Sequence, residues 1–324
     1  VVDDGSCDAT AERARAAGGG DRRLLVISKA NGGKASALNR ALAATDAPYL
    51  VVIDADSIVE RAAVAALTAP LADPAVGAVA GNVKVGNRDH LLGVFQHVEY
   101  VQGINLDRRF ADLLEATSVV PGALGAFRRE ALDAVGGFPT DTIAEDADLT
   151  VAIGELGYRV RFAPDARAWT EVPATWAALR AQRSRWSYGT LQVLWKHRRA
   201  PFRRRATNVG RIGLPYVVVY GYLLPLLAPA VDLLAVHALL FDAARAEVAQ
   251  VVLAFIALQL AAAALALRLD REPAWHALAV IPQQLGYRQF LSFVVASSLW
   301  SAVAGMPIGW GKLARRGLRL TREP

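Results

Sequence analysis

Two aspartates one residue apart, Asp54 and Asp56, close the apolar run VVIDADS at residues 51 to 57. Val51, Val52 and Ile53 read as a buried strand, because a short β-branched run flanked by polar turn residues is the usual signature of one. Carboxylates at the C-terminal end of such a strand stand where open α/β sheets bind ligands, and paired oxygen ligands there suit a hard divalent cation bridging a phosphate. Taken alone, the pair fits a turn or a helix cap slightly better. A second acidic group, Glu145, Asp146 and Asp148, opens the helical stretch TIAEDADLTVAIGELGY. Negative charge there complements the helix dipole, so capping competes with catalysis for all three. Gly32 and Gly33 break the chain just before a helix starting near Lys34, a turn that offers backbone N–H groups to phosphate, although paired glycines are ordinary loop material. By spacing, no histidine or cysteine cluster is visible that would hold another metal.

Strand and helix signals alternate through the first half: VV before Asp3, a helix over about 8 to 18, LLVIS at 24 to 28, a helix over 34 to 45, then YLVVIDAD. That order predicts a parallel or mixed α/β sheet with crossover helices, each strand delivering polar residues to one edge. A helix over about 60 to 70, the strand VGAVAGNVKV at 76 to 85 and a long helix through 90 to 115 follow. VVPGALGAFRRE at 119 to 130 reads as strand, turn and helix start. RVRFAPDARAW is strand-like, and TWAALRAQRSRWSYGTLQVLWK is an amphipathic helix.

The apolar fraction, 54%, exceeds the usual soluble range, and the excess is concentrated late in the 324-residue chain. Runs 214–236 and 248–267 are nearly uncharged, each long enough to cross the hydrocarbon core, which takes roughly 20 helical residues. The expected organisation is a water-facing domain over 1–195, a basic linker over 196–213, a membrane domain over 214–308 and a basic tail over 309–324. A third apolar stretch, 276–306, is interrupted by Pro282, Gln283, Gln284, Tyr287 and Arg288, and a broken hairpin or interfacial helix with a short re-entry is the preferred form. Asp232, as an intramembrane acid, is a functional candidate by default, with simple reach to the interface as the alternative, since it stands near the far end of the first run.

A formal charge of +6 is carried largely by WKHRRAPFRRRATNVGR at 195 to 211 and GKLARRGLRLTRE at the end. Lys and Arg clustered beside a span mark the cytoplasmic side and attract anionic lipid headgroups, a better account of them than nucleic-acid binding. One cysteine, Cys7, excludes a disulfide framework and fits a reducing compartment. Met306 is the only methionine, so Val1 is no ordinary translation start, and a further strand is expected ahead of it.

In order and spacing, VVDDGS, NGGKASALN, DADS, PGALGAFRRE, EDADL, QRSRW at 182 to 186 and GWGKLAR at 309 to 315 resemble the membrane-embedded family 2 glycosyltransferases. These include the cellulose, chitin, hyaluronan and poly-N-acetylglucosamine synthases. The resemblance implies a GT-A fold, a Rossmann-like mixed sheet for nucleotide-diphospho-sugars, followed by transmembrane helices. It places Asp4 or its neighbour Asp3 on the uracil ring, Lys34 close to the nucleotide, Asp54 near the ribose and Asp56 on a Mg²⁺ or Mn²⁺ ion at the diphosphate. It makes Asp146 the base and gives Gln182, Arg185 and Trp186 the holding of diphosphate and acceptor. One departure is A-E-D where many relatives carry threonine first; both carboxylates remain.

The chemistry is coherent without the family. Sugar transfer from a nucleotide diphosphate needs a cation for the leaving group and a base for the acceptor hydroxyl. Arginine supplies a fixed fork of donors to phosphate, and an indole face offers a platform for a sugar ring. A carboxylate base without a carboxylate nucleophile implies inversion. By resemblance the donor is a UDP-sugar, UDP-N-acetylglucosamine ahead of UDP-glucose. The acceptor is a growing, exported polysaccharide or, alternatively, a membrane lipid; a non-catalytic membrane scaffold is the remaining option.

Overall fold

In the computed structural model, residues 1–203, 207–309 and Gly317 are described. Most of the expected basic tail and of GWGKLAR, and Arg204, Arg205 and Ala206 of the linker, lie outside the described residues. The chain opens with β1 (Val2–Asp4), α1 (Thr10–Ala17), β2 (Ile27–Lys29) and α2 (Lys34–Leu42). β1 and β2 pair in parallel, with Asp4 opposite Lys29. Then come β3 (Tyr49–Val52), β4 (Ser57–Val59), α3 (Ala63–Thr68), β5 (Val76–Val85), α4 (Leu91–Tyr100), α5 (Asp107–Leu113), β6 (Gly125–Arg128), α6 (Arg129–Val135), α7 (Glu145–Glu155), β7 (Arg159–Thr170) and α8 (Trp176–Lys196).

β3 to β7 form one mixed sheet in the order β3-β6-β5-β7-β4. β5 and β7 run parallel, and the other pairings are antiparallel. Every residue of β5 is buried, and its two polar side chains are paired inside: the Asn82 amide donates to Asp270 Oδ1 and Lys84 Nζ to the Asp270 carbonyl, each at 2.8 Å. Its side chains still alternate: Ala78 and Ala80 join one apolar layer with Phe127, Leu132, Leu149 and Ile153, while Val79 and Val83 join the other with Leu67, Leu71 and Leu124. The turn holding Asp54 and Asp56 carries the chain from one edge strand, β3, to the other, β4. The helical stretch from 90 to 115 is not continuous, because a π-helical turn over Val101–Leu106 separates α4 from α5. Such turns occur frequently at functional sites.

After α8, one helix runs from Val209 to Phe241. π-helical turns at Val209–Gly213 and Val219–Leu223 divide it, leaving α9 (Leu214–Val218) and α10 (Leu224–Phe241) as its regular parts. Each regular part has a proline in its first turn, Pro215 and Pro225. A proline cannot donate to the carbonyl four residues back, which loosens the turn ahead of it. α11 (Arg245–Leu269) follows. Both helices are long and apolar enough to cross a membrane, and their most apolar windows are 0% and 6% buried. Leu233, Leu234, Leu253 and Leu258 stand exposed on them, a surface that calls for lipid or protein cover.

The third apolar stretch is broken: α12 (Val280–Pro282) ends in a non-helical step at Leu285 and Gly286, and α13 (Arg288–Val303) resumes. Gly286 takes φ +99°, a conformation that favours glycine. Asp232 does not depend on an interface: it pairs with the Arg288 guanidinium and accepts from the Gln289 amide at 2.7 Å. The helices dock on the sheet-containing part through Val98 and Val101, packed on Ala263, Ala266 and Leu267 of α11.

Candidate active site

At the end of β1, Asp3 is buried and accepts the Ser6 N–H at 3.1 Å, closing the DDGS turn. Gly5 in that turn has φ +74°, and a Cβ there would lie 2.8 Å from the Asn31 nitrogen. Asp4 accepts from Lys29 Nζ at 2.6 Å and from the backbone N–H of Gly32 at 3.0 Å and Gly33 at 2.8 Å. The two glycine N–H groups that the sequence offered to phosphate are thus aimed at Asp4. Burial would raise the Asp4 carboxyl, but the Lys29, Gly32 and Gly33 hydrogen bonds outweigh it and hold the group below its ordinary range.

With the NGG turn pinned in this way, Lys34 begins α2 facing the strand-end carboxylates. Its Nζ lies 2.8 Å from Asp54 Oδ1 and 3.2 Å from Glu145 Oε1. One ammonium therefore ties the DADS turn to the acidic start of α7. Burial opposes its charge, but Asp54, Glu145 and Asp146 together raise its pKa and keep it protonated. The PGALG loop closes over this pair, so that a Cβ on Gly122 would come within 2.1 Å of Lys34 Nζ and would displace the ammonium from its place. Asp56 sits half-buried in the same turn.

The acidic group of α7 divides by role. Asp148 is fully buried and accepts from Thr142 Oγ1 and Lys196 Nζ, each at 2.8 Å, and meets His197 Nε2 at 2.8 Å, so it fastens α7 to the end of α8. Glu145 is buried beside Asp146, and burial followed by that neighbouring charge raises its carboxyl despite Lys34. Asp146 is only partly buried; its Oδ1 accepts the Ala147 N–H at 2.8 Å. It is the member of the three least buried.

The QRSRW residues lie on α8. Gln182 is buried, Arg185 half-buried and Trp186 42% exposed, enough to present an indole face. α8 comes against the residues preceding Asp146 at Gly189, where a Cβ would be 2.7 Å from the Ala144 Cβ, and the Ile143 N–H donates to Gln192 Oε1 at 3.0 Å. Trp186 thus stands one helical turn from the element that carries Asp146.

The DADS turn, the bridging lysine and the acidic helix start thus meet in one place. Residues 49–267, more than half of the chain, match the model of "Glycosyl transferase family group 2". The chain belongs to this glycosyltransferase family. The matched stretch contains Asp54, Asp56, Asp146 and QRSRW; Asp3, Asp4 and Lys34 precede it. Poly-beta-1,6-N-acetyl-D-glucosamine synthases are similar to it: that of Staphylococcus aureus (strain COL) is 34% identical over 195 residues, 60% of this chain and 47% of the relative. For Staphylococcus epidermidis the identity is 32% over the same shares. The chain therefore spans about half the length of these curated relatives. Among solved structures, a mannosyltransferase of Pyrobaculum calidifontis, determined with GDP-Man and Mn²⁺, superposes with a TM-score of 0.57 at 26% identity, covering 89% of this chain and 77% of that one. Family and structural likeness agree with the GT-A expectation.

Two features of this glycosyltransferase were not visible in its sequence. Arg108 on α5 has a buried Nη1 without a hydrogen-bond partner. Burial pulls its pKa down to about 10 against the opposing charges of Asp146 and Asp107. Its neighbours are anchored outward, Asp107 to the Tyr216 hydroxyl and Arg109 to the Leu269 carbonyl at 3.2 Å. The other is His97, Glu272 and His276, whose ligand atoms lie within 4.8 Å of one another, a grouping assembled from distant positions that corrects the reading that no histidine cluster exists. Glu272 is already held by Lys84 at 2.8 Å and Arg88 at 2.9 Å, cations that oppose a metal there.

Proposed function

We propose that the protein is an inverting hexosyltransferase that moves a hexose or N-acetylhexosamine from a UDP-sugar to a growing polysaccharide at the cytoplasmic face of a membrane, processively and with export. The observation that carries this reading is Lys34 bridging Asp54 and Glu145, which brings the nucleotide-side turn and the acidic helix start into one site. The named activity of the staphylococcal relatives supports the polymer and, among donors, UDP-N-acetylglucosamine.

Asp4 and Asp3 border the uracil side, and Lys34 adds positive charge beside the nucleotide. Asp56, with Asp54 alongside, offers the hard oxygen donors that suit Mg²⁺ or Mn²⁺, and the mannosyltransferase was solved with Mn²⁺. When bound, such an ion neutralises charge developing on the departing UDP. Asp146 accepts the proton of the acceptor hydroxyl as its oxygen bonds to the anomeric carbon and the bond to the UDP oxygen breaks on the opposite side. Glu145 is buried and paired with Lys34, so no second carboxylate is poised as a nucleophile, in keeping with single-step inversion. Gln182 and Arg185 hold diphosphate and acceptor, and Trp186 presents its ring to the acceptor sugar.

The apolar faces of Val209–Phe241 and Arg245–Leu269 are the membrane contact, with lipid as partner. The basic linker at 195 to 211 puts the catalytic part on the cytoplasmic side. Reporter fusions between α10 and α11, at residues 242–244, and after Pro324 should report opposite sides. Activity is tested with the complete protein in membranes against radiolabelled UDP-N-acetylglucosamine, UDP-glucose and GDP-mannose, with product sizing. A long polymer from one UDP-sugar is expected. A single sugar on lipid would replace the processive reading, and no turnover of any donor would overturn the enzyme.

A further inference from the structure

Arg183, inside QRSRW but outside the three positions given a role above, is buried. Its Nη1 donates to Gln182 Oε1 at 2.8 Å, and its Nη2 to Glu99 Oε2 at 2.9 Å. The guanidinium carbon stands 4.2 Å from the Trp186 ring centroid, and Tyr100 flanks the same indole at 6.5 Å. A planar cation laid on an indole fixes the ring's orientation as well as stabilising it. Glu99 in turn accepts from the Tyr287 hydroxyl on the same oxygen, Oε2.

Tyr287 follows the break at Leu285 and Gly286 in the third apolar stretch. Its ring is wedged between Phe95, at 5.3 Å between centroids, and Trp176, at 6.0 Å. The break is itself secured: the Gln283 amide donates to the Phe95 carbonyl at 2.8 Å, and the Gly286 N–H to Gln289 Oε1 at 2.8 Å. A continuous line of contacts runs from the broken apolar segment through Tyr287, Glu99 and Arg183 to the Gln182 amide and the Trp186 indole. Buried polar lines stiffen with each group that is paired, because one left unpaired is costly; here Arg183 holds through its two terminal nitrogens, while its Nε lacks a hydrogen-bond partner.

We infer that Glu99, Arg183 and Tyr287 are positioning residues that hold Trp186 and Gln182 for the acceptor, so that the broken apolar segment sets the geometry of the acceptor side. The inference rests on the reading of Trp186 as the acceptor platform. A staple that merely stabilises the fold would lower folding and all turnover together. A positioning line alters where the sugar goes, so its loss appears as UDP released without chain growth.

The test uses the complete protein in membranes with UDP-N-acetylglucosamine, measuring sugar incorporated per UDP released, UDP affinity and thermal midpoint for Tyr287→Phe, Trp186→Ala and the double variant. Tyr287→Phe keeps the ring contacts and removes one hydrogen bond. It should lower the ratio about fivefold, the scale of one such bond, with UDP affinity unchanged and the midpoint lower by only a few degrees. The double variant should be no worse than Trp186→Ala alone, because Tyr287 acts through Trp186. Arg183→Lys, which keeps the charge but loses the planar stacking and the fork, should fall on the same side. Independent, additive losses overturn the inference, as does a wild-type ratio in Tyr287→Phe when Trp186→Ala is uncoupled. A wild-type ratio in Trp186→Ala overturns the platform reading itself and the inference with it.

Discussion

The two sides to which the proposed reading assigns donor and acceptor are built differently. Donor-side groups sit at strand ends and a helix start, paired over short reaches: Asp4 to the NGG turn, Lys34 to Asp54, with Asp54 35% exposed. Acceptor-side groups sit on helices, and the side chains behind them owe their positions to partners 84 and 188 residues away, as in Arg183–Glu99 and Glu99–Tyr287. A nucleotide diphosphate brings its own charge and metal, so a rim of carboxylates and a lysine can receive it. An acceptor sugar offers only hydroxyls and a weakly apolar face, so the protein must supply a rigid surface.

Substitutions on the two sides should therefore separate donor binding from sugar transfer. The largest donor-side effect is expected for Asp56→Ala, which should weaken UDP binding by roughly 10²-fold in Mg²⁺ or Mn²⁺ and make the remainder insensitive to chelator. Calorimetry with and without EDTA checks it. Chelator-independent affinity already in the unsubstituted protein would remove the metal from donor binding. Arg108→Met comes next. A buried guanidinium with an unpartnered nitrogen is a cost to the fold, so the thermal midpoint should hold or rise while transfer falls about tenfold. A stability loss with transfer per folded molecule intact would make Arg108 a structural residue.

The smallest effect concerns the seam between the sheet and the membrane helices. Burial would raise the Glu272 carboxyl, but hydrogen bonds from Arg88 and Lys84 dominate and draw it down from 4.5 to about 2. Burial, followed by the Arg88 charge, likewise lowers His97 from 6.5 to about 3. Both groups bind protons more readily once the seam opens. Stability should therefore be level above about pH 7, begin to fall below 6.5 as His97 contributes, and fall faster below 4.5 as Glu272 joins. Thermal midpoints across that range, several degrees lower at the acid end, check the sign. Glu272→Gln should remove the second phase of the fall while leaving the first.

The same contrast explains what could be read from sequence. DADS, NGGK and EDADL are local words whose residues meet because neighbouring strands and helices end together. The strand VGAVAGNVKV has the observed bounds because its valines and small apolar residues carry the signal past the two buried polar positions, Asn82 and Lys84. Arg108, Glu99 and Tyr287 have no local signature; each lies on a helical stretch where a charge or a phenol is ordinary. The π-helical turn at Val101–Leu106 also leaves no mark, since its residues suit a regular helix equally. Gly32 and Gly33 had a local signal with two outlets, phosphate or carboxylate, and only the fold brings Asp4 to them.

That transfer depends on a base distinct from the donor-binding rim is tested most directly by Asp146→Asn, with UDP affinity and sugar transfer measured on the same membrane preparation. The amide keeps the size and the hydrogen bond from Ala147 but cannot take a proton. UDP affinity should stay within about twofold while transfer falls roughly 10²- to 10⁴-fold. Near-normal transfer, or affinity and transfer falling together, would contradict the assignment, and Asp148, locked between Lys196 and His197, would not be free to replace it.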